Sequence, residues 1–177
     1  MAGTHIALLR GINVGRAKRV AMADLRALVE GLGYGNVSTL LNSGNVVFTV
    51  PSKTAKTSPA KRIEQALDAQ LNVASRVLVL SAAELAVIVA ENPLEKVATD
   101  PSRLFVAVLF DAASLAKLTP LTKQDWGRDR LALGTRAAYL WCAEGMTESR
   151  LAKAANRILS DAATTRNWAT ILKLEAL

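Results

Sequence analysis

One order of short apolar runs and amphipathic stretches occurs twice along this chain, and that duplication limits the fold more than any single motif does. His5–Leu9 is a continuous apolar run, as expected of a strand covered on both faces. After a glycine-broken loop, Leu25, Leu28, Val29 and Leu32 recur at i, i+3, i+4 and i+7, one face of a helix, which Gly31, Gly33 and Gly35 end by supplying positive φ. Two β-rich runs, 37–41 and 46–50, flank Asn42-Ser-Gly-Asn45 and read as a hairpin. Residues 51–58 read as a polar loop. Ser58-Pro59 opens a helix carrying Ile63, Ala66, Leu67 and Leu71 inward, and 76–80 is a further strand. This is the β-α-β-β-α-β order of a ferredoxin-like module.

Ser81-Ala-Ala-Glu84 forms a capping box that opens a connecting helix through about Ala90. The pattern then returns: a buried strand over 104–110, a short helix over 112–118, and strands 130–133 and 137–142 around Gly134-Thr-Arg136. Thr147 is expected to cap a helix carrying Leu151, Ala155, Ile158 and Ala162. No closing strand is expected in this half; Trp168, Ile171 and Leu172 mark a final helix instead. The fold class is α/β of the α+β kind: two ferredoxin-like or related β-α-β-β-α modules packed together, one over 1–92 and one over 103–177. Superposing 4–80 on 103–162 should show the same strand order in both.

Composition narrows the setting. Hydrophobic residues make up 51% of the 177, enough for a core, and aromatics only 5%, so that core is aliphatic. No apolar run approaches the roughly 18 residues of a membrane span, and the first ten residues carry no basic leader, so neither a membrane nor a secretory signal is expected. Cys142 is the single cysteine, which excludes an intrachain disulfide or a cysteine-paired zinc site and fits a reducing cytoplasm. Lying in an apolar strand, it reads as structural. The net charge is +7, yet residues 81–111 hold two basic against five acidic side chains, so both outer parts are basic around an acidic middle. A basic balance favours a phosphate-bearing partner over an acidic one, with a merely solubilising surface as the bland reading.

Three stretches stand out as strings: Leu8-Leu-Arg-Gly-Ile-Asn-Val-Gly15, Ser43-Gly-Asn-Val-Val-Phe48 and Thr165-Arg-Asn-Trp168. Together they resemble the bacterial family of domain of unknown function 1697. Its members often place a second glycine and an asparagine just after the position of Gly15, where this chain has Arg16, Ala17 and Lys18. The resemblance implies a compact two-module α/β fold and brings no established reaction, cofactor or catalytic residue.

Chemistry must therefore nominate the sites. The loop Arg10 to Arg19 follows a buried strand and precedes a helix, a place where open sheets put ligands. Gly11 and Gly15 let peptide N–H groups converge near Asn13, while Arg10, Arg16, Lys18 and Arg19 supply charge with no carboxylate before Asp24. Such a nest suits a phosphate. The glycine spacing matches neither a Walker loop nor a dinucleotide fingerprint. A tight turn with exposed cations is the competing reading. Ser43 and Asn45 form a second candidate, for which plain turn chemistry competes. Arg166 and Asn167 form a third at the last helix's start, with Thr165 as N-cap. Arg150, Lys153 and Arg157 share one side of the preceding helix.

His5 is the single histidine, no nucleophile elbow is present, and Asp125 and Asp129 read as surface ion pairs, so no catalytic residue is nominated. Metal-ligand spacing is absent, and no cofactor is implied. An RNA-recognition module stacks bases on aromatics of two central strands; here the first strand has none and the third has Phe48 alone, so sequence-specific nucleic-acid binding is not expected. Loose electrostatic binding and self-association stay open. The leading function is binding of a phosphorylated or otherwise anionic small molecule, a nucleotide among the candidates. An enzyme using the same loops, and a protein-interaction module without a small ligand, are the alternatives.

Overall fold

A computed structural model describes residues 3–52 and 57–177. Residues 53–56, part of the loop read at 51–58, lie outside the described residues. The chain divides into two compact units, Met1–Leu85 with Leu177, and Ala86–Ala176.

The first unit runs β1 (Gly3–Leu9), α1 (Met22–Gly31), β2 (Gly35–Leu40), β3 (Asn45–Val50), α2 (Pro59–Leu71) and β4 (Val77–Ser81). Its sheet has the order β2-β3-β1-β4, with every neighbouring pair antiparallel. This is the ferredoxin-like order, in which the two crossovers each skip one strand. Alternation along the strands sets one face: Ala7 and Leu9 pair across to Val46 and Val77, and with Val37 and Phe48 they meet Leu25, Leu28 and Val29 of α1 and Ile63, Ala66 and Leu67 of α2. Each fully buried Val, Leu, Ile or Phe of this set contributes about 1.5–3 kcal/mol, and each Ala less. Of the three glycines read as ending α1, Gly33 alone has positive φ (84°); Gly31 is still helical and Gly35 already belongs to β2. Pro59 starts α2 as expected, although Ser58 makes no side-chain cap bond.

The helix α3 (Ala82–Ala90) follows directly, opened by the expected capping box: Ser81 N–H donates to Glu84 Oε2 (2.8 Å) and Glu84 N–H to Ser81 Oγ (3.2 Å). The second unit continues with β5 (Leu104–Leu109), a 3-10 segment (Ala112–Lys123), β6 (Arg130–Leu133), β7 (Ala137–Trp141), α4 (Arg150–Leu159), β8 (Ala163–Asn167) and α5 (Trp168–Glu175). Its sheet order is β6-β7-β5-β8, again antiparallel throughout, so the two strand orders coincide. Ala107, Leu109, Ala138 and Leu140 pack on Leu115, Leu118 and Leu121 of the 3-10 segment and on Leu151, Ala152, Ala155 and Leu159 of α4.

Three expectations need correction. The second unit does have a closing strand, β8, paired with β5 from Ala163↔Leu109 to Asn167↔Phe105. The expected short helix over 112–118 is a longer 3-10 segment, Ala112–Lys123, in which Pro120 removes one backbone N–H and would interrupt an α-helix of that full length. The cap of α4 is Ser149, whose Oγ accepts from Ala152 N–H (2.9 Å), rather than Thr147.

Candidate functional site

Antiparallel pairing brings three connections of the first unit to one end of its sheet. They are the loop 10–21 after β1, the β2–β3 turn at 41–44 and the stretch 72–76 before β4. Arg10 N–H donates to Arg76 O (2.9 Å), and Ser75 Oγ–H donates to Arg10 O (2.9 Å), tying the first connection to the third. Leu9 N–H donates to Gly44 O (2.9 Å), tying the first to the second. Gly44 has φ +82°, and a Cβ there would stand 2.7 Å from Ile12 Cδ1 and 2.8 Å from Leu9 Cβ. The turn can therefore lie against the loop only because Gly44 has no side chain.

Asn13 holds the loop in shape. Its Oδ1 accepts from Val20 N–H (2.7 Å), and its Nδ2 donates to Val20 O (2.9 Å) and across to Asn42 O (2.8 Å). Its own φ is +54°, flanked by left-handed Gly11 (+68°) and Gly15 (+51°), so the backbone reverses several times within a few residues. Ala17 N–H to Val14 O (2.9 Å) closes the crown of the loop. Nothing lies within 4 Å of a Cβ built on Gly11 or Gly15, so the space beside both is open.

The charged groups gather here. Arg10 is half-buried, and Arg16, Lys18, Arg19 and Arg76 are largely in solvent. Arg19 Nη1 donates to Asn13 O (3.1 Å), which lays its guanidinium against the loop, and the Lys18 ammonium donates to Asn72 O. Between Gly11, Ile12, Ala17 and Lys18 on one side and Asp68, Asn72, Val73 and Ala74 on the other runs an open groove of about 350 Å³. Asp68 and the C-terminal carbonyls of α2 face that groove, so its far wall is the less favourable one for an anion. The crown of the loop has no such neighbour in sequence before Asp24.

The other nominated residues are held in local roles. Asn45 is fully buried and its Nδ2 donates to Leu40 O (2.8 Å) and Ser43 Oγ (2.9 Å), which braces the β2–β3 turn. Arg166 is buried in β8, with Nη1 donating to Thr164 Oγ1 (3.1 Å) and Thr165 O (2.9 Å); burial pulls its pKa down to about 10. Asn167, not Thr165, caps α5: its Oδ1 accepts from Thr170 N–H (2.9 Å). Asp129 accepts from Ala143 N–H (2.9 Å) and Ser149 Oγ–H (2.7 Å), and Asp125 from Gly127 N–H (2.8 Å), so the two carboxylates serve separate turns. The structure thus joins Arg10, Gly11, Asn13, Gly15, Lys18, Ser43 and Asn45 at one end of the first sheet, while Arg166 and Asn167 belong to the second unit. Leu41 and Arg76 join this end without having been nominated from sequence, and Gly44, expected as a turn residue, proves also to be where the turn meets Ile12 and Leu9. Neither the close approach nor an arginine opposite Arg10 carries a signal until the strands are paired.

Among the described residues, no three His, Cys, Asp or Glu side chains cluster as a metal ion would require, and no helix is long and apolar enough to cross a membrane. No curated protein matches the sequence. Among solved structures, the conserved bacterial protein SP0830 from Streptococcus pneumoniae superposes with a TM-score of 0.79 at 20% identity, covering 99% of this chain and 98% of that one. That likeness is one of fold. The family described as "Protein of unknown function (DUF1697)" matches residues 2–139, which takes in the first two of the three characteristic strings and stops short of Thr165–Trp168. Covering well over half of the 177 residues, that match makes this chain a member of the DUF1697 family.

Proposed function

We propose that the protein binds a phosphorylated or otherwise anionic small molecule at the crown of the loop 10–19. The observation that carries this reading is the gathering of Arg10, Arg16, Lys18, Arg19 and Arg76 at one end of the sheet, around a backbone opened by Gly11 and Gly15 and held by Asn13. Turns of this left-handed kind direct N–H groups to a common point, and oriented amides with several cations bind anions without a dedicated catalytic group. The lone, buried Cys142 suits a reducing cytoplasm, where this reading sets the protein.

Isothermal titration with inorganic phosphate at low ionic strength tests it. The wild type should bind, and Arg10→Ala and Arg19→Ala should each weaken binding about tenfold or more, since a charge-assisted contact contributes about 1.5–3 kcal/mol. Absence of phosphate binding, or unchanged affinity in both folded variants, would reduce the loop to a turn.

A further inference from the structure

Two exposed aliphatic side chains sit on the same crown. Val14 is 63% exposed and Leu41 50%, among the largest values for apolar residues of the chain. They are the neighbours in sequence of Asn13 and Asn42, which share the hydrogen bond joining loop to turn. Leu41 also has φ +57°, in the left-handed region that bulky residues rarely adopt. A glycine or asparagine would relieve the backbone there and remove the exposed apolar surface together. The chain instead keeps a strained leucine facing solvent, on the crown where the Arg19 guanidinium donates to Asn13 O. Strain of this kind persists where the surrounding structure enforces it, and it concentrates at ligand clamps.

We infer that the anion bound here is a nucleoside phosphate, its phosphate held by Arg19 and the loop amides and its flat base resting on Leu41 and Val14. This rests on the proposed anion site and names its ligand class. A bare phosphate would leave the two aliphatic groups in water. A long acyl chain needs an enclosed apolar channel, whereas the groove of about 350 Å³ beside this loop is open and partly polar, lined by Lys18 and Asp68. A planar heterocycle needs only exposed apolar surface beside the cations, which Val14 and Leu41 supply.

Three probes separate the possibilities: inorganic phosphate, adenosine monophosphate and a short oligoadenylate, each titrated against the wild type, Leu41→Asn and Val14→Ser. The monophosphate should bind the wild type about tenfold more tightly than phosphate, as expected when part of a base is removed from water. Leu41→Asn should erase that margin, leave phosphate affinity unchanged, and raise the melting midpoint by about 2–5 °C, because asparagine accepts a left-handed backbone. Val14→Ser should shrink the margin without moving the midpoint. Equal affinity for phosphate and monophosphate would overturn this inference while leaving the anion site standing; failure of both to bind would overturn both. Binding of the oligoadenylate alone would assign the crown to a nucleic-acid strand and refute it. A lowered midpoint in Leu41→Asn would refute it too, since the leucine would then be a packing residue.

Discussion

In the first unit, β1 is followed by a loop with Gly11, Asn13 and Gly15 in left-handed conformation and four cations between positions 10 and 19. In the second, β5 is followed by Phe110 and Asp111, and Asp111 Oδ1 at once caps the 3-10 segment through Ala113 N–H (3.0 Å). The same strand order thus carries an elaborate connection in one unit and a minimal one in the other. Buried polar groups are distributed the opposite way. Among the described residues, Asn45 is the buried polar side chain of the first unit, while the second holds Ser114, Ser149, Thr164, Arg166 and Thr170. The second unit thus buries more polar side chains, while the first exposes the cations of one loop cluster and ties α2 to its neighbours through the partly buried bonds from Arg62 to Leu32 O and from Val77 N–H to Glu64.

The sharpest contrast lies between the two hairpin glycines. Gly44→Ala forces a Cβ onto Leu9 and Ile12 and an L-residue into φ +82°, so it should destabilise the fold by about 3 kcal/mol. At Gly134 no positive φ is required, but a Cβ would meet Glu91 Oε2 at 2.7 Å, an oxygen that accepts from Thr135 N–H and Oγ1–H, and the buried Tyr139 Cε2 at 3.1 Å. With space the only obstacle, Gly134→Ala should cost about 2 kcal/mol. Urea unfolding followed by far-UV circular dichroism measures both, and a reversed order would break the claim that the first turn is the more constrained.

Asn13 and Asp129 come next, each a side chain that binds distant backbone in its own unit. Removing either leaves partly buried partners unsatisfied, and Asn13→Ala and Asp129→Ala should each cost about 2 kcal/mol. Their effects on ligand binding should differ. Asn13→Ala should weaken phosphate binding with the loss of loop shape, whereas Asp129→Ala should leave it unaltered at a temperature where both variants are folded.

What the sequence could disclose follows the same division. Apolar periodicity is enough to find β1, α1, β3, α2 and the first hairpin, because burial on one face is written in the spacing of Leu, Ile and Val. It fails at β8, whose residues Ala163-Thr-Thr-Arg-Asn167 read as polar; the paired β-branched threonines are the remaining signal, and burial of Arg166 beside Val106 is a tertiary fact. Pro120 is the visible sign that 112–123 could not be a regular helix. At the candidate site, residue types nominate the loop, but neither Gly44 against Ile12 nor the exposure of Leu41 is readable before β2 and β3 are paired. Leu41 in particular sits in an apolar run and looks like one more strand residue.

Alkaline pH offers a subtler test on the second unit. Cys142 is fully buried, and burial, with the nearby Asp129 charge adding to it, raises its pKa from an ordinary 9.0 to about 11. A thiol whose pKa is higher in the folded state contributes stability in full below pH 9, and that contribution is lost as pH rises through 11. Tyr139, buried near Glu91, is pushed in the same sense, while burial pulls Arg166 downward and so opposes it. Comparing wild type with Cys142→Ala cancels both. The wild type should lose about 2 kcal/mol more than the variant between pH 9 and 11, because each tenfold change in the thiol's acidity corresponds to about 1.4 kcal/mol. Parallel pH profiles would show that the thiol is not shielded, and any activity lost by a folded Cys142→Ala protein would contradict its structural role.

The smallest effects should come from exposed surface ion pairs, of which Arg26 with Glu30 in the first unit and Arg128 with Glu144 in the second are examples. Arg26 Nε and Glu30 Oε1 stand 2.9 Å apart on α1 with side chains 59% and 46% exposed; Arg128 Nη2 and Glu144 Oε1 stand 2.6 Å apart at 76% and 66%. Exposed pairs gain little because water and salt screen the attraction while two long side chains lose rotamer freedom. With a net charge of +7, deleting an arginine also relieves repulsion across the molecule, which offsets part of the lost pair. Arg26→Ala and Arg128→Ala should each change stability by less than about 0.5 kcal/mol, and the change should shrink further in about 0.5 M salt. Arg19→Ala, whose guanidinium meets a backbone carbonyl rather than an acid, should be as quiet in stability while weakening phosphate binding. If instead it destabilises the fold as much as Asn13→Ala does, the cations of the first unit serve the loop's architecture, and the difference between the two units is one of shape alone.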